Sequence, residues 1–453
     1  MLHSINPATE EILGEVETAS KKSVNDAVKK AKSSFSGWAS IDLSERALAL
    51  TKFVSELRKT KKELSVLMTQ EMGKPITEAE EEIDGACTEI EWFAKEGKKY
   101  LENEIVEIDV PQVKSYIAYE PLGVAGIITP WNFPLETPIW SIAPALLSGN
   151  TVVWKPSELV PLFSKEISNL LDTLLPVGVF NLIQGADSTG KSLVDSKVNM
   201  LSFTGSSETG KKIASRSGKK LKKIVMELGG SDPCIILKDA DIEKTVDGTI
   251  LGRFLNCGQC CTSAKRFYVE EEIAEEFTSR FVEKTKAMKI GNPLERDTKI
   301  GPMASKEQLE LLERQVNESV KMGAKVLCGG VRQGSKGYYY LPTVMSDTNQ
   351  KMPVISEETF GPVAPIVPVK NVKIAVKKAN DTHYGLGASI WTKDKEKAEK
   401  ISKQLRCGIV WINDVNVAYP QCPWGGIKES GIGRELSKYG ILEFVNIKSV
   451  IVK

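Results

Sequence analysis

Between residues 20 and 102 apolar side chains recur at helical intervals. Val24, Ala27, Val28, Ala31 and Phe35 fall on one helix face, and polar stretches separate the later apolar repeats, so this opening region is predicted to be mostly helical. From about residue 116 the period changes. Short β-rich runs, "VAGIIT" at 124–129, "TVVWK" at 151–155, "VFNLI" at 179–183 and "CIIL" at 234–237, are separated by helix-length segments. Such alternation predicts a parallel α/β sheet with right-handed crossovers. A second alternation, from "KRFYVE" at 265–270 through "APIVPV" and "ASIWT" to "GIVWIND" at 408–414, predicts a second α/β domain.

At 453 residues the chain exceeds what one core usually supports, in keeping with two or three domains. Its 60 Lys+Arg against 59 Asp+Glu leave a net charge of +1, which gives no global attraction to nucleic acid or to an anionic membrane, and neither is expected as a partner. No apolar run approaches the roughly 20 residues of a membrane span, and "MLHSINPATEEIL" lacks the blocks of a signal peptide. Eight cysteines are too sparse for a disulfide scaffold in a chain this long, so a reducing, cytoplasmic setting is expected. The only two histidines, His3 and His383, leave little room for a Ser-His-Asp triad or a His-rich metal site. The chemistry is expected to run without histidine and without a metal.

Three motifs compete for a function. "GADSTGKS", Gly185 to Ser192, matches the phosphate-loop pattern, with Asp239 after a later apolar run as its acidic partner; that reading makes the protein an ATPase. Against it, only "LVDSKVN" remains for the helix such a loop must open. "LSFTGSSETGKKIA", Leu201 to Ala214, runs from an apolar strand through Thr204-Gly205-Ser206 straight into a helix, whose N-terminal N–H groups suit a phosphate or pyrophosphate. "NCGQCCTSAKR", Asn256 to Arg266, clusters Cys257, Cys260 and Cys261, and no second close pair exists among the other cysteines to complete a four-ligand zinc site. A cysteine nucleophile needs an oxyanion partner and a base, and with histidine scarce a carboxylate must serve. Glu227 in "VMELGGSDP" sits between an apolar run and two glycines, where a carboxylate has room to move.

Taken together, "TPWNFP" at 129–134, "FTGS" at 203–206, "ELGG" at 227–230, "GQCC" at 258–261, "EETFGP" at 357–362 and "PWGGIKESGIGRE" at 423–435 resemble the NAD(P)-dependent aldehyde dehydrogenases over essentially the whole chain. The resemblance implies an α/β fold with a Rossmann-like cofactor domain (1–102 and 122–228), an α/β catalytic domain (229–430) and a small β oligomerisation element (103–121 and 431–453), assembled as a homodimer or homotetramer. It places the nucleophile on Cys261, the general base on Glu227 and the oxyanion amide on Asn132. Thr129, Trp131, Lys155, Ser157, Glu158, Gly185, Phe203, Thr204, Gly205, Ser206, Glu358 and Phe360 fall at cofactor positions. NAD is expected to be preferred, with NADP also used, because Glu158 sits where the adenosine ribose is held and Lys155 offers a cation to a 2′-phosphate.

The implied reaction converts a small aliphatic or hydroxylated aldehyde to its acid through a thiohemiacetal and a thioester. Trp140, Trp424 and Thr262 are expected to line the substrate pocket. In the family's bacterial succinic semialdehyde branch an arginine stands where Trp140 stands here. Trp424 is shared with the betaine aldehyde branch, but Leu255 replaces another of that branch's tryptophans. Succinic semialdehyde and betaine aldehyde remain alternative substrates.

Overall fold

The computed structural model describes residues 1–453. A hairpin, Leu2–Ile5 with Ile12–Val16, precedes helices Lys21–Ala39, Leu43–Lys59, Lys61–Met72 and Ile76–Glu96. The predicted helical face is present: Val24, Val28 and Ala31 are buried, Ala27 and Phe35 half-buried. Ser20 and Asp42 start the first two helices, their side chains accepting the N–H groups of Ser23 and Ser44. Such caps satisfy donors that a helix start leaves free and stabilise it by about 1 kcal/mol each.

The first sheet runs, in spatial order, Gly431–Ile432, Lys223–Glu227, Met200–Thr204, Val124–Ile128, Thr151–Lys155 and Phe180–Leu182. All pairs are parallel except the first. The chain builds outward from Val124–Ile128 in one direction, then crosses over to Met200–Thr204 and builds the other way. The order therefore reverses between those two strands, and the crevice beyond their carboxyl ends is where open α/β sheets bind ligands. Strands Val124–Ile128 and Thr151–Lys155 are buried on both faces, which explains their unbroken apolar texture.

The second sheet has seven strands in the order Lys325–Cys328, Thr343–Ser346, Val363–Val369, Ala264–Glu270, Asp232–Ile236, Gly387–Trp391 and Ile409–Ile412, with only the first pair antiparallel. The run "CIIL" belongs to this sheet and not to the one that its neighbours in sequence build. A third, antiparallel sheet joins Val445–Val452, Lys114–Pro121 and Glu104–Val106.

One expected boundary shifts. Residues 431–432 do not join the small sheet; they pair with Met226 and Glu227 as an edge strand of the first sheet, and Ser437–Leu442 forms a helix packed on Glu136–Leu147. The tail's share of the small element begins at Val445, because "GIG" at 431–433 is drawn to the open edge beside Glu227.

Candidate active site

The cysteine segment is shaped by its backbone. Asn256, Cys257 and Gly258 have φ of 52°, 57° and 72°, a run of left-handed residues that turns the chain sharply between helix Ile242–Phe254 and strand Ala264–Glu270. Gly258 is required here, since a Cβ would lie 2.5 Å from the Gly361 carbonyl oxygen. Arg253, fully buried, holds the turn by donating to Val363 O, Gly361 O, Gly258 O, Thr359 Oγ1 and Ser263 Oγ. Gln259 adds a brace: Ala304 N–H donates to its Oε1 at 2.8 Å.

That turn separates the three thiols. Cys257 is 1% exposed, its Sγ against Met303 Sδ at 4.0 Å. Cys260 is also buried, beside the Thr262 hydroxyl at 3.4 Å, while Cys261 alone of the three is only half-buried. The neighbouring Cys260 and Cys261 thiols ionise as a pair: the first proton leaves below the usual thiol range, and the second is held up by the neighbouring thiolate and by burial. Lys265 favours that first ionisation. Its fully buried Nζ donates to Cys261 O, to Gly230 O and to Glu358 Oε1, at 2.7 to 2.8 Å.

Asn132 reaches this turn from the first sheet. It follows strand Val124–Ile128, and its Nδ2 donates to Gln259 O at 3.1 Å, while Asn256 Nδ2 donates back to Asn132 O at 2.8 Å. An amide NH2 has two donors, so one N–H of Asn132 is left for another acceptor. Glu227 ends strand Lys223–Glu227; it is 4% exposed and its Oε1 has no hydrogen-bond partner. Burial pushes its carboxyl well above the usual range, with Glu435 adding and Arg434 opposing. Gly425 and Gly431 leave it space; a Cβ at Gly425 would lie 2.6 Å from Glu227 Oε1.

A cavity of about 460 Å³ joins these groups. Asn132, Cys261, Glu227, Thr262, Trp140 and Trp424 line it, together with Trp131, Thr204, Gly205, Ser206, Glu358 and Phe360. Trp140 and Trp424 pack with ring centroids 5.0 Å apart, and Trp131 meets Phe360 edge-on at 5.6 Å. The remaining expected cofactor positions lie outside the cavity along the same edge of the sheet. Thr129, Lys155 and Gly185 sit at or just past the carboxyl ends of their strands, and Ser157 and Glu158 follow Lys155. Lys155 Nζ pairs with Glu158 Oε2 at 3.2 Å, and Trp154 Nε1 donates to Thr129 Oγ1 at 2.9 Å. Phe203 lies under Gly205, where a Cβ would meet its ring at 2.6 Å.

These features suit a dinucleotide. Helix Ser207–Gly218 opens at the strand-order reversal with Ser206 as its cap, and Gly229 leaves room beside Glu358, where a Cβ would fall 2.4 Å from Oε2. The phosphate-loop reading fails on geometry. Helix Asp187–Asp195 begins inside "GADSTGKS", so Gly190 and Lys191 are helical, and Lys191 pairs with Asp187. Asp239 accepts from Thr392 in the second sheet's domain.

Sequence reasoning missed Lys265, Gln259, Glu136 and Glu435 as site residues. Glu435 ends the quoted "PWGGIKESGIGRE"; Ser141 Oγ donates to its Oε1 at 2.9 Å, and burial pushes it up to about 8.

The description "Aldehyde dehydrogenase family" belongs to the family model that matches residues 1–450. The chain is 38% identical over 448 residues to the mitochondrial succinate-semialdehyde dehydrogenase of Oryza sativa subsp. japonica, spanning 98% of this chain and 85% of that one. It is 41% identical over 456 residues to aldehyde dehydrogenase 1A1 of Homo sapiens (99% and 91%) and 38% over 459 residues to betaine aldehyde dehydrogenase of Bacillus subtilis strain 168 (98% and 93%). Among solved structures, an NAD+ complex of aldehyde dehydrogenase from Bacillus cereus superposes with TM-score 0.97 at 35% identity, covering 100% of this chain and 93% of that one. An NADP-dependent enzyme of E. coli does so with TM-score 0.97 at 34% identity (100% and 94%).

Proposed function

Because the chain belongs to the aldehyde dehydrogenase family, a family of NAD(P)-dependent oxidoreductases, we propose that it oxidises a small aliphatic or hydroxylated aldehyde to the carboxylic acid with Cys261 as nucleophile. The observation that carries this reading is the cavity itself. It brings the one partly accessible thiol of the cluster together with an amide that has a free N–H and a buried carboxylate with an unpartnered oxygen.

The Cys261 thiolate, favoured by Lys265, attacks the aldehyde carbon, and the oxyanion is held by the second N–H of Asn132 and the Cys261 backbone N–H. Lys155, Glu158, Ser206, Glu358 and Phe360 would hold NAD(P) along the strand ends, and the bound dinucleotide would supply the two-electron oxidant that accepts the hydride lost from the carbon as the Cys261 thioester forms. Glu227 then takes a proton from water, and that water hydrolyses the Cys261 thioester. Burial raises the Glu227 carboxyl well above its ordinary range, so thioester hydrolysis should quicken with pH as that carboxyl ionises. Glu158, whose side chain is 43% exposed, favours NAD by opposing a 2′-phosphate, while Lys155 tolerates NADP.

The wall of the cavity offers no arginine to a substrate carboxylate, which weighs against succinic semialdehyde. Leu255 lines the cavity where a quaternary ammonium needs an aromatic ring, which weighs against betaine aldehyde. The small sheet leaves Ile105, Ile447, Ile451 and Val452 exposed, which supports assembly of two or four copies through it. All eight cysteines are free, which supports a reducing, cytoplasmic setting. The deciding experiment is a panel of aldehydes assayed with NAD and with NADP. Reduction of the nicotinamide only when aldehyde is present, faster with NAD, is expected; no reduction with any aldehyde would sink the reading.

A further inference from the structure

One buried side chain ties together pieces of the cavity wall that come from separate parts of the chain. Lys265 is the second residue of strand Ala264–Glu270, and its side chain is wholly shielded from solvent. An ammonium has three N–H groups, and here all three are used. They donate to Gly230 O at 2.7 Å, to Cys261 O at 2.8 Å and to Glu358 Oε1 at 2.8 Å. The Lys265 ammonium also lies 5.5 Å from the ring centre of Phe360. It therefore meets the segment that follows Glu227, the main chain of Cys261 itself, and the two residues assigned above to the nicotinamide ribose and ring.

The partners are unequal. Two carbonyls neutralise no charge, so Glu358 is the only counter-ion that Lys265 contacts. Glu358 in turn is held through one oxygen: its Oε1 accepts both from Lys265 and from the Gly230 N–H, at 2.8 and 2.9 Å. Its Oε2 accepts from neither, and lies beside Gly229, where a Cβ would fall 2.4 Å away. Glu358 and Gly229 both line the cavity, so the clamp on Oε1 orients a carboxylate whose second oxygen is spare. The charge on Lys265 acts in two directions, on that carboxylate and on the neighbouring thiols, and what changes one side is felt on the other.

We infer that Lys265 is a positioning residue that couples the cofactor site to the nucleophile: one ammonium both presents Glu358 Oε2 to the nicotinamide ribose and activates the Cys261 sulfur. The inference rests on the aldehyde-oxidising reading above and adds a residue to its machinery. The other charged and titratable groups nearby are few. Cys261 also faces Cys260 and Glu227, Arg253 faces Cys260 and Glu358, Glu136 faces Cys260, and Asp232 faces Lys265 from the adjacent strand. Substituting Lys265 leaves all of them in place, so a change in the thiol reports on the ammonium.

The test reads the thiol and the cofactor site without any aldehyde. Alkylation of Cys261 by iodoacetamide, followed by mass spectrometry over a pH series on the cofactor-free protein, tracks its thiolate. Calorimetric titration with NAD gives the affinity. Lys265→Met is expected to raise the alkylation midpoint by about one pH unit and to weaken NAD binding about tenfold. In a Glu358→Gln background, adding Lys265→Met should cost about twofold or less in NAD affinity, because the lysine acts on the cofactor through that carboxylate, while the rise in midpoint persists. A lysine that only supports the fold would lower the melting temperature and leave the midpoint where it is. The inference is overturned if the midpoint does not rise, if Lys265→Met binds NAD no more weakly than wild type, or if the two losses of affinity simply add. If Lys265→Met alone leaves Glu358 unpaired and does not fold, Lys265→Met with Glu358→Gln removes both charges together, and its midpoint against Glu358→Gln alone decides. A raised midpoint and weakened NAD binding in a protein that oxidises no aldehyde would uphold Lys265 and sink the aldehyde-oxidising reading.

Discussion

Cys261→Ala is expected to abolish aldehyde oxidation while leaving dinucleotide binding intact, and Cys260→Ala to keep most of it, because only Cys261 is more than marginally accessible. Steady-state rates and a binding titration on both variants check this; an active Cys261→Ala would place the nucleophile elsewhere. Glu227→Gln separates two halves of the reaction. It should give one burst of reduced nicotinamide and then turn over about 10²-fold or more slowly, which stopped-flow absorbance reads directly. In the wild type the sign is set by burial. A carboxyl held well above its ordinary range works as a base only above that raised value, so steady turnover should rise with pH through it while the burst persists. Steady turnover that is flat below neutrality would remove Glu227 from this role.

At the scale of elements, the turn that carries Cys261 depends on one side chain. Arg253→Met leaves several buried acceptors unsatisfied at once, and should cost about 3 kcal/mol or more of stability, with activity lost as the left-handed turn relaxes. Chemical denaturation with a parallel activity assay tests both; a variant as stable and as active as wild type would deny Arg253 this function. How much of this was legible depended on range. The parallel strands were readable because burial on both faces leaves apolar runs such as "TVVWK". The sheet to which "CIIL" belongs was not readable, since Cys234 pairs with Phe267 and Ser389, far away in sequence. The order of motifs singled out Cys261, Glu227 and Asn132, which line one cavity, whereas the separation of the three thiols comes from three positive φ angles that cysteine spacing does not encode. Lys265 was hidden in a strand-like run, because its partners come from residues 230, 261 and 358.

Across the whole molecule, burial stores protons. Glu71, Glu78, Glu136 and Asp232 are each pushed up to about 7 from 4.5 or 3.8, chiefly by burial. The folded chain therefore holds protons that the unfolded chain has already released, so their stabilising contribution is full below about pH 4 and is lost as pH rises towards 7. Carboxyls lowered by ion pairs or hydrogen bonds, such as Glu80 and Asp26, act in the opposite sense but at lower pH, and between pH 5 and 7.5 the Cys260–Cys261 pair, with a first ionisation near 6, opposes the four raised carboxyls without outweighing them. Thermal midpoints measured by calorimetry should fall from pH 5 to pH 7.5; a rising midpoint would contradict these assignments. Trp424 and Glu435 form part of the cavity, Gly431–Ile432 is stitched to the strand that ends at Glu227, and Val445–Val452 is the outer strand of the small sheet. If copies meet through that sheet, loosening the contact tugs on the tether that holds the reaction chamber closed. Specific activity should then decline on dilution in step with the appearance of monomers by mass photometry, and recover on reconcentration; monomers that work at full speed would show the tether to be slack.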